Sequence, residues 1–139
     1  MANTIKVEIV SAEHSLYSGD AIMVFAPALL GEVGIAPKHT AMLTPLAPGD
    51  VRIRTPEGGE EEIIYVSGGL MEVQPDVVTI LSDTAIRAQD IDEEAALRAQ
   101  EDAQKALAEK GSEVDEARAR AELVQAVAQL QALRKIRKG

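Results

Sequence analysis

The 139-residue chain contains no cysteine. Disulfides therefore cannot supplement a small core, and thiol catalysis and thiolate metal sites are excluded. Tryptophan is also absent, and the aromatic content is confined to Tyr17, Phe25 and Tyr65. A groove that holds nucleic acid by stacking on its bases needs more rings than this. Basic charge is scarce: 14 Lys and Arg against 23 Asp and Glu leave a net charge of −9, which repels phosphate backbones. The two histidines, His14 and His39, stand far apart in sequence. A zinc site would need the fold to bring them together with help from carboxylates. No apolar run approaches the length of a membrane span, and the start MANTIKVEIV lacks the basic head and long apolar run of a signal peptide. The expectation is a soluble, intracellular protein that reaches a membrane only through something else.

What is present divides into two periods. To about Arg87 the chain reads as β. Ile5, Val7 and Ile9 alternate with Lys6, Glu8 and Val10, close to the period of a half-buried strand. AIMVF, VRIR, EIIYVS, LMEVQ and VVTIL are further short strand candidates. They are bounded by Ser18-Gly19-Asp20, Pro48-Gly49-Asp50, Glu57-Gly58-Gly59, Gly68-Gly69 and Pro75-Asp76. Short strands with Gly/Pro punctuation and no crossover helix predict a largely antiparallel sandwich or barrel over residues 1–87.

From about Ala88 proline and strand alternation vanish, and Ala, Glu, Gln, Arg and Leu dominate, all good helix formers. Asp90 with Glu93 has the form of an N-cap with its capping-box partner, and Ser112 with Asp115 repeats the pattern after Gly111. The break is short, which predicts an antiparallel two-helix hairpin over residues 88–139. Ala95, Ala99, Ala103, Ala106 and Leu107 make a thin stripe on the first helix. Val114, Ala117, Ala121, Val124 and Ala128 make one on the second, with Leu123, Val127, Leu130 and Leu133 beside it. Alanine seams bury little area, at roughly 25 cal/mol per Å². Two readings stay open: a permanently docked hairpin, and one held weakly enough to switch.

Charge is also uneven. Residues 1–87 carry −7 and residues 88–139 carry −2. Arg134, Lys135, Arg137 and Lys138 crowd the chain end, with no acid after Glu122. Helix-dipole complementation accounts for one or two such charges; four in five residues favour an acidic partner surface. Catalytic motifs are missing. Gly31-Glu32-Val33-Gly34 and Ser67-Gly68-Gly69 lack the helix and lysine of a P-loop, and Ser67 has no neighbouring base or elbow motif. The chain reads as a non-catalytic protein that acts by contact.

VSAE (10–13), YSG (17–19), GEVGIAPKHTAMLTPLAPGDVRI (31–53) and YVSGGLMEVQPDVVTILSDTAIRAQDID (65–92), in this order, resemble the epsilon subunit family of bacterial F-type ATP synthases. The resemblance implies a ten-stranded β-sandwich in the central rotor stalk, packed on the gamma subunit and the c-subunit ring. It implies coupling of proton flow to ATP synthesis, and a peripheral position on the cytoplasmic face of the bacterial plasma (inner) membrane. It further implies a hairpin that folds on the sandwich or extends along gamma to the alpha and beta subunits, where it blocks rotation in the hydrolysis direction. The family's rotor-contact residues fall on Glu32, in the GEVGI turn, and on His39. The inhibitory basic tip falls among Arg134, Lys135, Arg137 and Lys138.

Some members of that family bind ATP between the folded helices through Ile/Leu-Asp, two residues, then Arg-Ala. Here the segment is Ile91-Asp92-Glu93-Glu94-Ala95-Ala96, so Asp92 is kept and Ala95 replaces the arginine. Arg98 lies one turn on, Arg120 stands in the second helix, and a later arginine of binders falls near Val127. A triphosphate needs several cationic partners, so the expectation is ATP binding that is weak or absent and no resident cofactor. An ATP-sensing hairpin module is the alternative, and a free-standing adaptor a third.

Overall fold

The computed structural model describes residues 3–109 and 111–138, without the side chain of Lys138. Ten strands come first: β1 (Ile5–Ser11), β2 (Ser15–Ala21), β3 (Met23–Ala28), β4 (Gly31–Ile35), β5 (Met42–Leu46), β6 (Gly49–Arg54), β7 (Glu62–Val66), β8 (Gly69–Val73), β9 (Val77–Ser82) and β10 (Ala85–Arg87). A 3-10 turn (Ala88–Asp90) leads into α1 (Glu93–Ala108) and α2 (Glu113–Lys138).

The strands pair in the order β10-β7-β6-β3-β5-β8-β9-β1-β2, with β4 branching from β3. Alternation sets the register. In β1, Ile5, Val7 and Ile9 are fully buried while Lys6 and Glu8 face out. Every strand from β1 to β10 sends residues into one core, so the series curls over a single apolar interior. Its two ends nearly meet, where Arg87 Nη2 on β10 donates to the Leu16 carbonyl on β2 at 2.9 Å. The fold is the expected β-sandwich followed by a helical hairpin, and the pairing is antiparallel except between β1 and β9, which run parallel.

Two segments read as turns are strands. Ser18-Gly19-Asp20 lies inside β2, and GEVGI is β4 itself, with Phe25 opposite Gly34 and Pro27 opposite Glu32. Glycine there makes room for a ring: Tyr17 covers Gly19 and Phe25 covers Gly34. At Gly69 the requirement is steric and conformational. Its φ is +131°, and an added Cβ would lie 2.0 Å from the Leu81 carbonyl oxygen.

The helices also differ from expectation in their ends and faces. Asp92, not Asp90, is the N-cap of α1, accepting from the Ala95 N–H at 3.1 Å. Asp90 closes the preceding 3-10 turn. Ser112 caps α2 as expected, taking the Asp115 N–H at 3.1 Å. On α1, Ala96 and Ala103 are buried, with Gln100 and Leu107 partly so. On α2, Ala119, Ala126, Leu130 and Leu133 are buried and Leu123 partly so. Both sets step by four and three, the spacing of a coiled-coil seam. The expected stripe of Val114, Ala117, Ala121 and Val124 is exposed instead. Both stripes have seam spacing, and the one with leucines wins because it removes more apolar surface from water.

Candidate functional site

Two surfaces carry unusual features, and a row of charges on the outward face of β6 lies between them. The first is an apolar prow. The turn between β3 and β4 exposes Leu29 by 61% and Leu30 by 104%. With Ala28, Gly31, Glu32, Val33, Thr44 and Pro45 these leucines line an open groove of about 530 Å³. The apolar surface continues across the sheet. Pro45 pairs with Leu70, and Leu70 with Leu81; Leu43, Leu70 and Leu81 are all exposed. A continuous apolar patch of this kind on a monomer marks an interaction surface.

Glu32 sits at the polar flank of the prow, where β4 runs beside β3. Its carboxylate accepts from Arg52 Nη2 at 2.9 Å. Arg52 also reaches Glu61 through Nη1 at 3.3 Å, and Arg54 Nε reaches the same carboxylate at 3.0 Å. Both guanidinium groups lie over the Phe25 ring, at 4.4 and 4.9 Å from its centroid. Burial works against the charge of Arg52, but the Glu32 and Glu61 carboxylates outweigh it and raise its pKa. His39 is elsewhere. It lies beyond the far end of β4, half-buried, with Nδ1 2.7 Å from the Thr40 carbonyl. Its loop is tied by Lys38 N–H to the Pro75 carbonyl at 2.9 Å. Among the described residues no hydrogen bond or ion pair joins His39 to Glu32.

The second surface is where the hairpin docks. Ala128, Ala132, Leu133 and Ile136 of α2 pack on Ile63 and Tyr65 of β7, together with Ile86, Ala88 and Ile91. α2 makes this contact and α1 packs on α2, so the whole hairpin hangs on one helix end. Burial raises the Tyr65 pKa. The hydroxyl itself lacks a hydrogen bond of normal geometry among the described residues, although Gln129 lies close enough to offset part of that rise. Lys135 Nζ closes the dock, meeting both carboxylate oxygens of Asp50 at 2.9 and 2.8 Å. The Asp50 side chain is 9% exposed and that of Lys135 is 42% exposed.

The basic end of the chain is therefore split. Lys135 is held by Asp50. Arg137 forms a two-pronged pair with Glu93 at the start of α1, and the hydrogen bond and charge of Arg137 hold the Glu93 carboxyl below its usual range. Arg134 is exposed, and the Lys138 side chain lies outside the described residues. Sequence reasoning missed Asp50, Tyr65 and Arg52. Asp50 stood in a Pro-Gly-Asp turn signal, and its partner is 85 residues away.

The residues considered for nucleotide do not converge. A cleft of about 410 Å³ lies between the helices, lined by Ala95, Ala96, Ala99, Asp102, Glu122, Gln125, Ala126 and Gln129. Neither Arg98 nor Arg120 lines it, and both are exposed. The Asp92 carboxylate is engaged as the α1 cap.

Comparison with known proteins agrees with this architecture. Residues 4–88 match the family model described as ATP synthase, Delta/Epsilon chain, beta-sandwich domain. Residues 89–134 match the ATP synthase, Delta/Epsilon chain, long alpha-helix domain. The chain is 57% identical over 138 residues to the ATP synthase epsilon chain of Nitrosococcus oceani, covering 99% of this chain and 98% of that one. It is 57% identical over 137 residues to the ATP synthase epsilon chain of Halorhodospira halophila, covering 98% and 96%. Among solved structures, a chain of the Euglena gracilis mitochondrial ATP synthase (OSCP/F1/c-ring, rotational state 1) superposes with a TM-score of 0.83 at 22% identity, covering 94% of this chain and 81% of that one. A chain of the Tetrahymena thermophila mitochondrial ATP synthase central stalk and c-ring gives a TM-score of 0.61 at 15% identity, covering 93% and 96%. The β-sandwich, the helical pair that follows it and the near full-length identity lead to one assignment: the chain belongs to the ATP synthase delta/epsilon chain family.

Proposed function

We propose that this chain is a non-catalytic rotor subunit of a proton-translocating F-type ATP synthase, linking gamma to the c ring, with a hairpin that restrains ATP hydrolysis when it leaves its dock. The observation that carries the reading is the coexistence of an exposed apolar prow beside Glu32 with a basic helix end already occupied by the chain's own carboxylates. Glu32, at the polar flank of the prow, suits the polar loops of a c ring, with His39 as a second contact. The band of Leu43, Pro45, Leu70 and Leu81 suits gamma. Lys135 and Arg137 are engaged in the docked state, so Arg134, Lys135, Arg137 and Lys138 are jointly available to an acidic segment of the beta subunit, with alpha nearby, only when α2 leaves. The chain would sit peripherally on the cytoplasmic face of the bacterial inner membrane, and among the described residues no helix is long and apolar enough to cross it.

The cleft between the helices supports this reading over the ATP-sensing one. Asp102 and Glu122 present like charge to a triphosphate, and among the described residues no cationic side chain lines the cleft. ATP binding there is weak or absent.

Removing residues 93–139 from the subunit in its complex tests the proposal. Assembly and proton-coupled synthesis are expected to persist, because prow and band lie wholly in the sandwich, and ATP hydrolysis is expected to rise. Hydrolysis unchanged across a range of ATP concentrations would remove the inhibitory role. Loss of assembly would show that the hairpin, not the sandwich, makes the rotor contact.

A further inference from the structure

The two surfaces are joined by a chain of charges. β6 alternates, with Val51 and Ile53 in the core and Asp50, Arg52 and Arg54 on the outer face. Lys135 occupies both oxygens of Asp50. Arg52, two residues along the same face, sends its two terminal nitrogens to Glu61 and Glu32. Its third donor is different. Arg52 Nε is buried without a hydrogen-bond partner among the described residues, and it lies 4.0 Å from Asp50 Oδ2. A buried guanidinium donor left unpaired is costly, and so is a buried carboxylate without a cation.

We propose that Arg52 is a switch arm that couples hairpin docking to the availability of Glu32. While α2 is docked, Lys135 satisfies Asp50 and Arg52 holds Glu32. When α2 leaves, Asp50 loses its Lys135 cation, and its carboxylate draws Arg52 Nε across the short remaining gap. The guanidinium is planar and rigid, so the movement pulls Nη2 away from Glu32. Glu32 is then free for a cationic group of a partner. Linkage makes the effect reciprocal. A cation that takes Glu32 releases Arg52 to serve Asp50, weakens the claim of Asp50 on Lys135, and so favours the undocked hairpin. The coupling belongs to the isolated chain and does not depend on the rotor reading.

The test uses the full isolated chain, with relaxation-dispersion NMR on the methyl groups of Ile63 and Ile136 measuring the undocked population. Glu32→Gln is expected to raise that population about 3- to 10-fold, within the usual range of coupling between sites. In an Asp50→Asn background the same change is expected to add nothing, since the link is cut. Glu8→Gln, whose carboxylate pairs with Lys6 at 3.2 Å on a different strand from Asp50, controls for net charge and is expected to have no effect. A second reading comes from the Arg52 Nε–H signal. Its exchange with water is expected to slow several-fold in Lys135→Met, as it gains the Asp50 carboxylate. An unchanged population in Glu32→Gln overturns the proposal. So does an equal rise in the Asp50→Asn background, which would mean bulk electrostatics, or an Arg52 Nε–H that exchanges no slower in Lys135→Met. Each of these outcomes leaves the hydrolysis experiment on the complex untouched.

Discussion

Asp50 shows how much one position decides. It stands opposite Tyr65 in the β6–β7 pairing, at the edge of the apolar patch that receives α2. A carboxylate so nearly enclosed persists only with a cation at hand, and the nearest one comes from the far end of the chain. The pair is one-sided in exposure, because Lys135 remains partly in water; its contribution to docking is accordingly modest, about 1–2 kcal/mol. Gly69 decides a different matter. Its positive φ and the 2.0 Å approach to the Leu81 carbonyl leave no place for a side chain, and the crowding atom is backbone. Gly69→Ala is expected to cost about 3 kcal/mol or more. That lowers the melting temperature of the sandwich by about 10 °C or more in a thermal scan followed by far-ultraviolet circular dichroism. A loss of less than about 2 °C would mean that β8 and β9 shift apart freely at that point.

Among the elements, α2 is the one that ties the hairpin to the sandwich. Its first half packs on α1 through Ala119, Leu123 and Ala126, and its last turns carry the dock. Alanine contributes little burial, so the seam orients α1 without fastening it. Leu133 belongs both to the seam spacing and to the dock. Leu133→Ala is expected to cost about 2–3 kcal/mol of docking, within the range for buried leucines. The loss should appear as faster amide exchange in both helices, with strand amides unchanged. If only α2 responded, α1 would have a hold on the sandwich of its own. GEVGI teaches a complementary lesson. As strand β4 it places Glu32 and Gly34 on the outer face beside Phe25 and Arg52, so that Glu32 is held by neighbours instead of projecting from a free turn.

For the molecule as a whole, the sandwich core draws, among the described residues, on none beyond Ala85, while the dock cluster draws on Ala88 and Ile91 and on α2. The two cores are therefore separable. A chain ending at Ile91 is expected to unfold cooperatively, with a melting temperature within about 10 °C of the full chain, and to bind a hydrophobic dye at the uncovered Ile63 and Tyr65. A truncated chain without a cooperative transition would show that the helices complete the sandwich. Such separability is what a detachable hairpin requires: leaving the dock must cost less than unfolding the part that stays.

The residues alone announced the β-then-helical order, the hairpin, Ser112 as a cap, the absence of catalytic motifs and the family likeness. These follow from local alternation, capping chemistry and short strings, which need no knowledge of distant neighbours. Glu32, through the family likeness, and the basic end, through its charge, stood out in the sequence, but their partners within the chain did not. The tertiary structure decided which of two equally spaced stripes on α2 is buried, because seam spacing is satisfied by both and only packing area separates them. It also decided that Lys135 meets Asp50 and that Arg52 stands between Asp50 and Glu32. Those relations depend on how β6 lies beneath α2, across most of the length of the chain, and local sequence pattern carries no record of that distance.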